Sequence, residues 1–319
     1  MAGSAVLEKA DSLLGEFAEV VLDGLSQDEK AIPCRFFYDA RGSDLFEEIT
    51  QLQEYYPTRT EIGLLERHAP DIARRAGSGC ALVEFGSGSS RKTGKLIDHL
   101  EDLAAYVPID IAHEALTDAT ERLAARNPEL AILPVHADFN QDVRLPSEVR
   151  QAPKLGFFPG STIGNLSHAE AAEFLGVAGG LLGSGSAFVV GVDLKKDVTT
   201  LIRAYDDAGG VTADFNLNLL RRINRELDGD FDVSRFAHEV IYNADAGRIE
   251  MYIVSLADQE ASVLGENVAF SEGERIHTEN SHKYAVDEFQ DLARESGWRP
   301  SEVWTDAQDL FSLHYLDRD

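Results

Sequence analysis

Apolar residues in the middle of the chain fall into short runs separated by stretches with helical spacing. Ala81-Leu-Val-Glu-Phe85 is an apolar run ending in glycines, the pattern of a strand buried on both faces. Leu96, Ile97, Leu100 and Leu103 then share one helical face, and Ala105-Tyr-Val-Pro-Ile109 reads as a second strand. Leu116, Ala119 and Leu123 mark a helix that stops before Asn127-Pro128. Residues 131–135, 155–158 and 187–192 add three strands. Strands alternating with helices at this spacing predict an α/β domain with a doubly wound and mostly parallel sheet.

The pattern changes at both ends. Residues 1–60 read as helix and loop, dense in aromatics at Phe36-Phe-Tyr38 and Tyr55-Tyr56. Beyond residue 200, a helix over 216–227 gives way to period-two alternation. The segments 238–242 and 248–254 flank Asn243-Ala-Asp-Ala-Gly247 as an antiparallel hairpin. A hairpin does not extend a parallel sheet naturally. The expected division is a doubly wound domain over 61–198 and a smaller α+β domain assembled from 1–60 plus 199–319. Phe174 to Val192 runs 19 residues without a charge, but six of them are glycine. A helix end, a turn at Gly183-Ser-Gly-Ser186 and a buried strand fit it better than a membrane span.

Composition narrows the function classes. At 44% hydrophobic and 27% charged residues the chain is an ordinary globular one. Cys34 and Cys80 cannot build a disulfide framework or a multi-cysteine zinc site. Against 29 Lys+Arg stand 56 Asp+Glu, a net charge of −27, which repels phosphate backbones and anionic lipid. Nucleic-acid and membrane partners are therefore not expected. With only 8 Lys, the acid excess suits a salty cytoplasm, or it simply aids solubility. The first 24 residues show no basic segment followed by an apolar run, so no signal peptide is expected. The expectation is a soluble cytoplasmic monomer acting on a small molecule.

Candidate chemistry begins at Val83-Glu-Phe-Gly86-Ser-Gly88-Ser-Ser-Arg-Lys92, where a strand turns into a helix. Glycines there let backbone approach a ligand, and the helix start offers free N–H groups. A dinucleotide fingerprint needs a third glycine where Arg91 stands, which weakens a nicotinamide reading. Glu84 two positions before Gly86, followed by Gly88, is instead the pattern of S-adenosylmethionine (AdoMet) enzymes. Asp110 ends the second strand 22 residues after Gly88, where a carboxylate can accept both ribose hydroxyls. Asp138 and Phe139 follow the third strand, placed to meet an adenine edge and cover its ring.

The segments Phe36-Phe-Tyr-Asp-Ala-Arg-Gly-Ser-Asp-Leu-Phe-Glu-Glu-Ile-Thr50 and Glu54-Tyr-Tyr-Pro-Thr-Arg-Thr-Glu61 resemble the N-terminal signature of the histidine-specific methyltransferases. The likeness continues through residues 84–92, 158–165, 191–197, Ala204-Tyr-Asp-Asp and 276–284, essentially the whole chain. It implies a Rossmann-like AdoMet-binding domain, with Lys92 and Gly160 among its cofactor residues, and a smaller domain for the amino acid. The implied reaction is trimethylation of the histidine α-amine to hercynine, on the way to ergothioneine. By the same resemblance Asn165 and Tyr205 hold the substrate carboxylate. Glu279 and Ser281, on one strand face, read the imidazole. Tyr55 lies along the ring and Tyr38 near the amine as the catalytic candidate. Met251 is a wall, and Phe46 joins the tyrosines in accepting the ammonium. Tyr38 and Tyr55 could instead be core, and Asn165 a helix cap.

Alternatives are methylation of another aromatic amino acid, tryptophan-like, and a non-catalytic AdoMet-binding protein. A metal site at His277 and His282 is not expected, since five residues apart on a strand they face opposite ways.

Overall fold

The computed structural model describes residues 15–88, 92–111, 113–138 and 143–319. In chain order the elements are α1 (15–26), β1 (Lys30–Ala31), α2 (Ala40–Gln51), α3 (Tyr56–Ala76), β2 (Ala81–Phe85), α4 (Thr93–Ile97), β3 (Ala105–Asp110), α5 (His113–Arg126), β4 (Val135–His136), β5 (Lys154–Phe158), α6 (His168–Leu182) and β6 (Ala187–Asp193). There follow α7 (Val198–Tyr205), α8 (Val211–Glu226), β7 (Phe236–Asn243), β8 (Arg248–Ser255), β9 (Gln259–Val263), β10 (Glu266–Phe270), β11 (Arg275–His282), α9 (Val286–Glu295), β12 (Arg299–Thr305) and β13 (Phe311–Asp317).

The chain divides into two compact units. The larger comprises Tyr56–Asp197, Ala244–Arg248 and Ser281–Asp319. Its sheet has the order β12-β13-β6-β5-β2-β3-β4. The five strands β2 to β6 pair in parallel, and β13 joins β6 antiparallel. The pleat sorts the apolar runs onto two faces. Val83, Phe85, Val107, Phe158 and Phe188 pack on one side with Phe174 and Leu175 of α6, while Leu82, Tyr106, Leu155, Phe157 and Val189 pack on the other with Leu64 and Leu65 of α3. The chargeless run resolves into α6, a turn and β6, as expected.

Three expectations need correction. The strand expected over 131–135 reduces to β4, with one isolated bridge from Ile132 to Tyr106. Pro134 has no N–H to give a ladder. The helix expected through Leu103 ends at Ile97. Asp102 takes φ +49°, which no helix tolerates. Residues 281–319 were expected in the smaller domain, yet α9, β12 and β13 belong to the larger unit. A two-stranded antiparallel addition needs only the short turn at 306–310, and the β13 run Phe311-Ser-Leu-His-Tyr-Leu316 is buried throughout.

The smaller unit holds the described residues up to Tyr55, then Val198–Asn243 and Ile249–Asn280. Its four-stranded sheet has the order β1-β11-β8-β7, placing the two expected hairpin strands side by side. Helices α2 and α8 pack together, and β9 pairs antiparallel with β10. No helix among the described residues is long and apolar enough to cross a membrane.

Candidate functional site

In the larger unit the chain runs from β2 to β3 and β4 on one side, then returns to β5 on the other. The carboxyl ends flanking that switch point are where an open α/β sheet takes a ligand. Gly86 and Gly88 sit there with φ of +70° and +47°, conformations that favour glycine. The Gly88 N–H donates to Asp110 Oδ2 at 3.0 Å, so the two expected cofactor elements meet. Asp138 lies just past β4, and Phe139 falls outside the described residues, as does Arg91. Past β5, Gly160 takes φ +81°, and a Cβ there would stand 3.3 Å from Lys92 Nζ and 3.4 Å from Thr162 Oγ1. This bare backbone, a strand-end carboxylate and a helix start fit the nucleoside and amino-acid parts of AdoMet.

Glu84 serves the loop from below. Its carboxyl is 1% exposed and accepts from Thr93 Oγ1 at 2.6 Å and from the Tyr106 hydroxyl. Burial pushes its pKa up to about 8, with the two hydroxyl donors pulling the other way. Both oxygens thus hold β2, β3 and the start of α4 together. Lys92 is likewise engaged by protein: its Nζ lies 2.6 Å from Glu61 Oε2.

Asn165 ends a 3-10 turn, Thr162–Asn165, and is half-buried. It is not the helix cap. Ser167 caps α6, accepting from the Glu170 N–H at 3.3 Å while Glu170 Oε2 accepts from the Ser167 N–H at 2.8 Å. Ser281 is buried in the larger unit, and Lys283 Nζ donates to its Oγ at 2.8 Å. Lys283 also pairs with Asp193 Oδ2 at 2.7 Å, and Asp193 accepts from the Tyr56 hydroxyl and from Lys196. Burial would raise the Asp193 pKa, but Lys283 and Lys196 outweigh it and hold the carboxyl low. Burial takes Lys196 down to about 8 despite Asp193. Sequence reasoning quoted Asp193, Lys196 and Tyr56 within the resembling segments but gave them no role.

The smaller unit contains an aromatic pocket. Phe46, Ile49, Tyr55, Ala204, Tyr205, Thr212, Phe215, Met251 and Glu279 line it, around a cavity of about 30 Å³, room for roughly one or two waters. Tyr55 meets Phe46 and Tyr205 edge-on, each at 6.2 Å between ring centres. Tyr38 meets Phe46 at 5.7 Å and Phe215 at 5.8 Å, so it stands beside the pocket without lining it. Met251 is buried on β8, and Glu279 is half-buried on β11. Of the expected substrate residues, Tyr55, Tyr205, Met251 and Glu279 therefore come together.

Local sequence explains how these side chains are presented. Asp39 caps α2 by accepting from the Gly42 N–H at 2.6 Å, and it accepts from Asn218 Nδ2 of α8 at 2.8 Å. Gly42 allows the approach of the Phe37 carbonyl, which would lie 1.8 Å from a Cβ. Asp207 accepts from the N–H groups of Val211 and Thr212 at 3.1 and 2.8 Å, starting α8. Burial raises its pKa, but these N–H groups and the Thr212 side chain more than offset that and hold it low. Sequence reasoning missed His238. Its Nε2 lies 2.9 Å from the Tyr205 carbonyl and its Nδ1 lies 2.8 Å from Asn216 Nδ2, so those partners assign the neutral Nε2–H tautomer. Burial lowers the His238 pKa, with the Tyr205 hydrogen bond opposing. Among the described residues no group of three or more His, Cys, Asp or Glu that could hold an ion is found.

Comparison with known proteins points the same way. Residues 17–318 match the family described as histidine-specific methyltransferase, SAM-dependent. The chain is 41% identical over 310 residues to histidine N-alpha-methyltransferase from Mycolicibacterium smegmatis, covering 95% of each chain. It is 38% identical to the protein of that name from Mycobacterium tuberculosis, covering 92% of each. Against 4-dimethylallyltryptophan N-methyltransferase from Claviceps purpurea, identity falls to 26% over 90% of each. The chain belongs to the SAM-dependent, histidine-specific methyltransferase family.

Proposed function

We propose that this protein methylates the α-amine of L-histidine three times, with AdoMet as donor, giving hercynine for ergothioneine biosynthesis in the cytoplasm. One observation carries the choice of amino acid: the Glu279 carboxylate stands in the wall of a pocket that is aromatic and aliphatic apart from it and Thr212. A carboxylate there gains a charge-assisted bond from an imidazole N–H, whereas an apolar ring only desolvates it. The identity to the two mycobacterial enzymes supports the same choice.

AdoMet supplies an electrophilic methyl on a sulfonium with a neutral leaving group. The larger unit is assigned the cofactor: Gly86 and Gly88 admit it, Asp110 accepts its ribose hydroxyls, and Asp138 and Phe139 take the adenine. The α-amine must give up a proton first. Because α-amines titrate near 8, this costs about 1 kcal/mol at neutral pH, so alignment and exclusion of water matter more than a strong base. Phe46 and Tyr55 offer aromatic rings to the ammonium that grows with each transfer, with Tyr38 packed behind Phe46. An indole-bearing substrate is the second reading, favoured by the Claviceps relative's name and opposed by Glu279. Mass spectrometry after incubation with AdoMet and each free amino acid tests both. Mono-, di- and trimethyl histidine are expected; methylation of tryptophan without histidine would overturn the proposal.

A further inference from the structure

Within the larger unit, three features of the resembling segments converge on one carboxylate with no assigned role. Glu61 of α3 is completely buried. Its two oxygens accept from the Gly160 N–H at 3.0 and 2.9 Å, and Oε2 lies 2.6 Å from Lys92 Nζ. A Cβ at Gly191 of β6 would lie 2.1 Å from Glu61 Oε1, so that glycine leaves the space the carboxylate fills. Gly160 follows β5 and Lys92 follows the glycine loop after β2, so Glu61 ties together the two sides of the switch point.

Burying a carboxylate is costly, and pairing it with a lysine returns only part of the cost, so stability alone gives little reason for the pair. Charge gives one. AdoMet carries a carboxylate, an ammonium and a sulfonium, a net single positive charge. Its product, S-adenosylhomocysteine, has a neutral thioether and no net charge. An uncompensated Lys92 would set a positive potential at these strand ends and oppose the donor more than the product. We propose that Glu61 is a positioning residue that fixes the Lys92 ammonium against the Gly160 backbone and cancels its charge, so that the site favours AdoMet over S-adenosylhomocysteine. The proposal rests on the reading that the cofactor occupies these strand ends.

Calorimetric titration of both ligands into wild type and variants tests it. Glu61→Gln keeps the shape and an acceptor for the Gly160 N–H but removes the charge. It should weaken AdoMet about 5- to 10-fold more than S-adenosylhomocysteine, the effect of one unit charge through a protein-like dielectric. Adding Lys92→Met should return the affinity ratio toward wild type. Lys92→Met alone leaves the carboxylate without its cation and, titrated at a pH where that buried carboxylate is ionised, should move the ratio the opposite way, a sign that mere loss of packing cannot produce. It also supplies the test if Glu61→Gln fails to fold. Equal losses for the two ligands in both single variants would overturn the proposal. Asp110→Ala, titrated alongside, separates the premises. If neither ligand responds to it, the placement of the cofactor falls; if both weaken while the Glu61→Gln and Lys92→Met ratios stay at wild type, only the charge argument falls.

Discussion

Glu84 is an acid that the fold keeps protonated, and this makes stability depend on pH in a calculable way. Its carboxyl is 1% exposed, its partners are the Thr93 and Tyr106 hydroxyls, and burial lifts its pKa from 4.5 to about 8. The unfolded chain loses this proton near the ordinary glutamate value, while the native state keeps it until about pH 8. With its folded value raised, the group's contribution is fully present below the lower value and is lost as pH climbs through the upper one. Within that window each pH unit costs about 1.4 kcal/mol, and full ionisation would cost on the order of 3–5 kcal/mol. Glu84→Gln keeps the shape but cannot titrate. Urea unfolding of wild type and variant at pH 5, 6, 7 and 8 should show wild type losing ground by about 1.4 kcal/mol per unit relative to the variant. AdoMet affinity of wild type should fall above pH 8 in parallel, because Glu84 holds Thr93 at the start of α4. A stability difference independent of pH would refute the buried neutral acid.

Asp110→Ala should weaken AdoMet by roughly 1–3 kcal/mol in calorimetry, the loss expected when buried hydroxyl partners go unpaired. Glu279→Ala should cost about 2–3 kcal/mol in kcat/KM for histidine and admit a measurable rate on tryptophan, which Met251→Val should enlarge by opening the wall; an unchanged ratio of the two kcat/KM values would mean that histidine is chosen elsewhere. Gly191→Ala would place a methyl 2.1 Å from Glu61 Oε1 and 3.1 Å from Phe311 Cε1. The overpacking should cost about 1–3 kcal/mol, and an unshifted thermal midpoint would show that the Glu61 carboxylate can yield.

The parallel strands were legible because burial on both faces writes itself as an unbroken apolar run, as in Ala81–Phe85 and Ala187–Asp193. The third strand was not, because Pro134 leaves only two residues to pair, and composition does not reveal pairing. The C-terminal segment was placed wrongly for a different reason: its two antiparallel strands were not singled out, and which sheet such strands join depends on long-range packing. The site followed the same rule. Glycines and Asp110 carry signals in residue type and position, whereas Glu279 was reached through the family resemblance. Glu61 and His238 carry no such signal, because a buried carboxylate on an amphipathic helix and a histidine on a half-buried strand look like surface residues until their partners are seen. The signal available for Glu61 was its place at the end of a resembling block that also contains the pocket tyrosine, Tyr55.

The lysines at the strand ends point to a common electrostatic logic. Lys92 meets the buried Glu61, while Lys196 and Lys283 share the buried Asp193. One carboxylate cannot neutralise two ammonium groups, and burial takes Lys196 down to about 8, which lowers the excess positive charge only as pH rises through that value. Lys92 is thus offset one to one, while Lys196 and Lys283 share a single counter-charge. The candidate amino-acid pocket is sparing of positive charge: apart from Thr212 and Glu279 its lining is aromatic and aliphatic, with no arginine or lysine. An enzyme that binds a sulfonium and builds a quaternary ammonium gains from such a lining. A fixed cation near either would raise the cost of the charge that the reaction carries from donor to product.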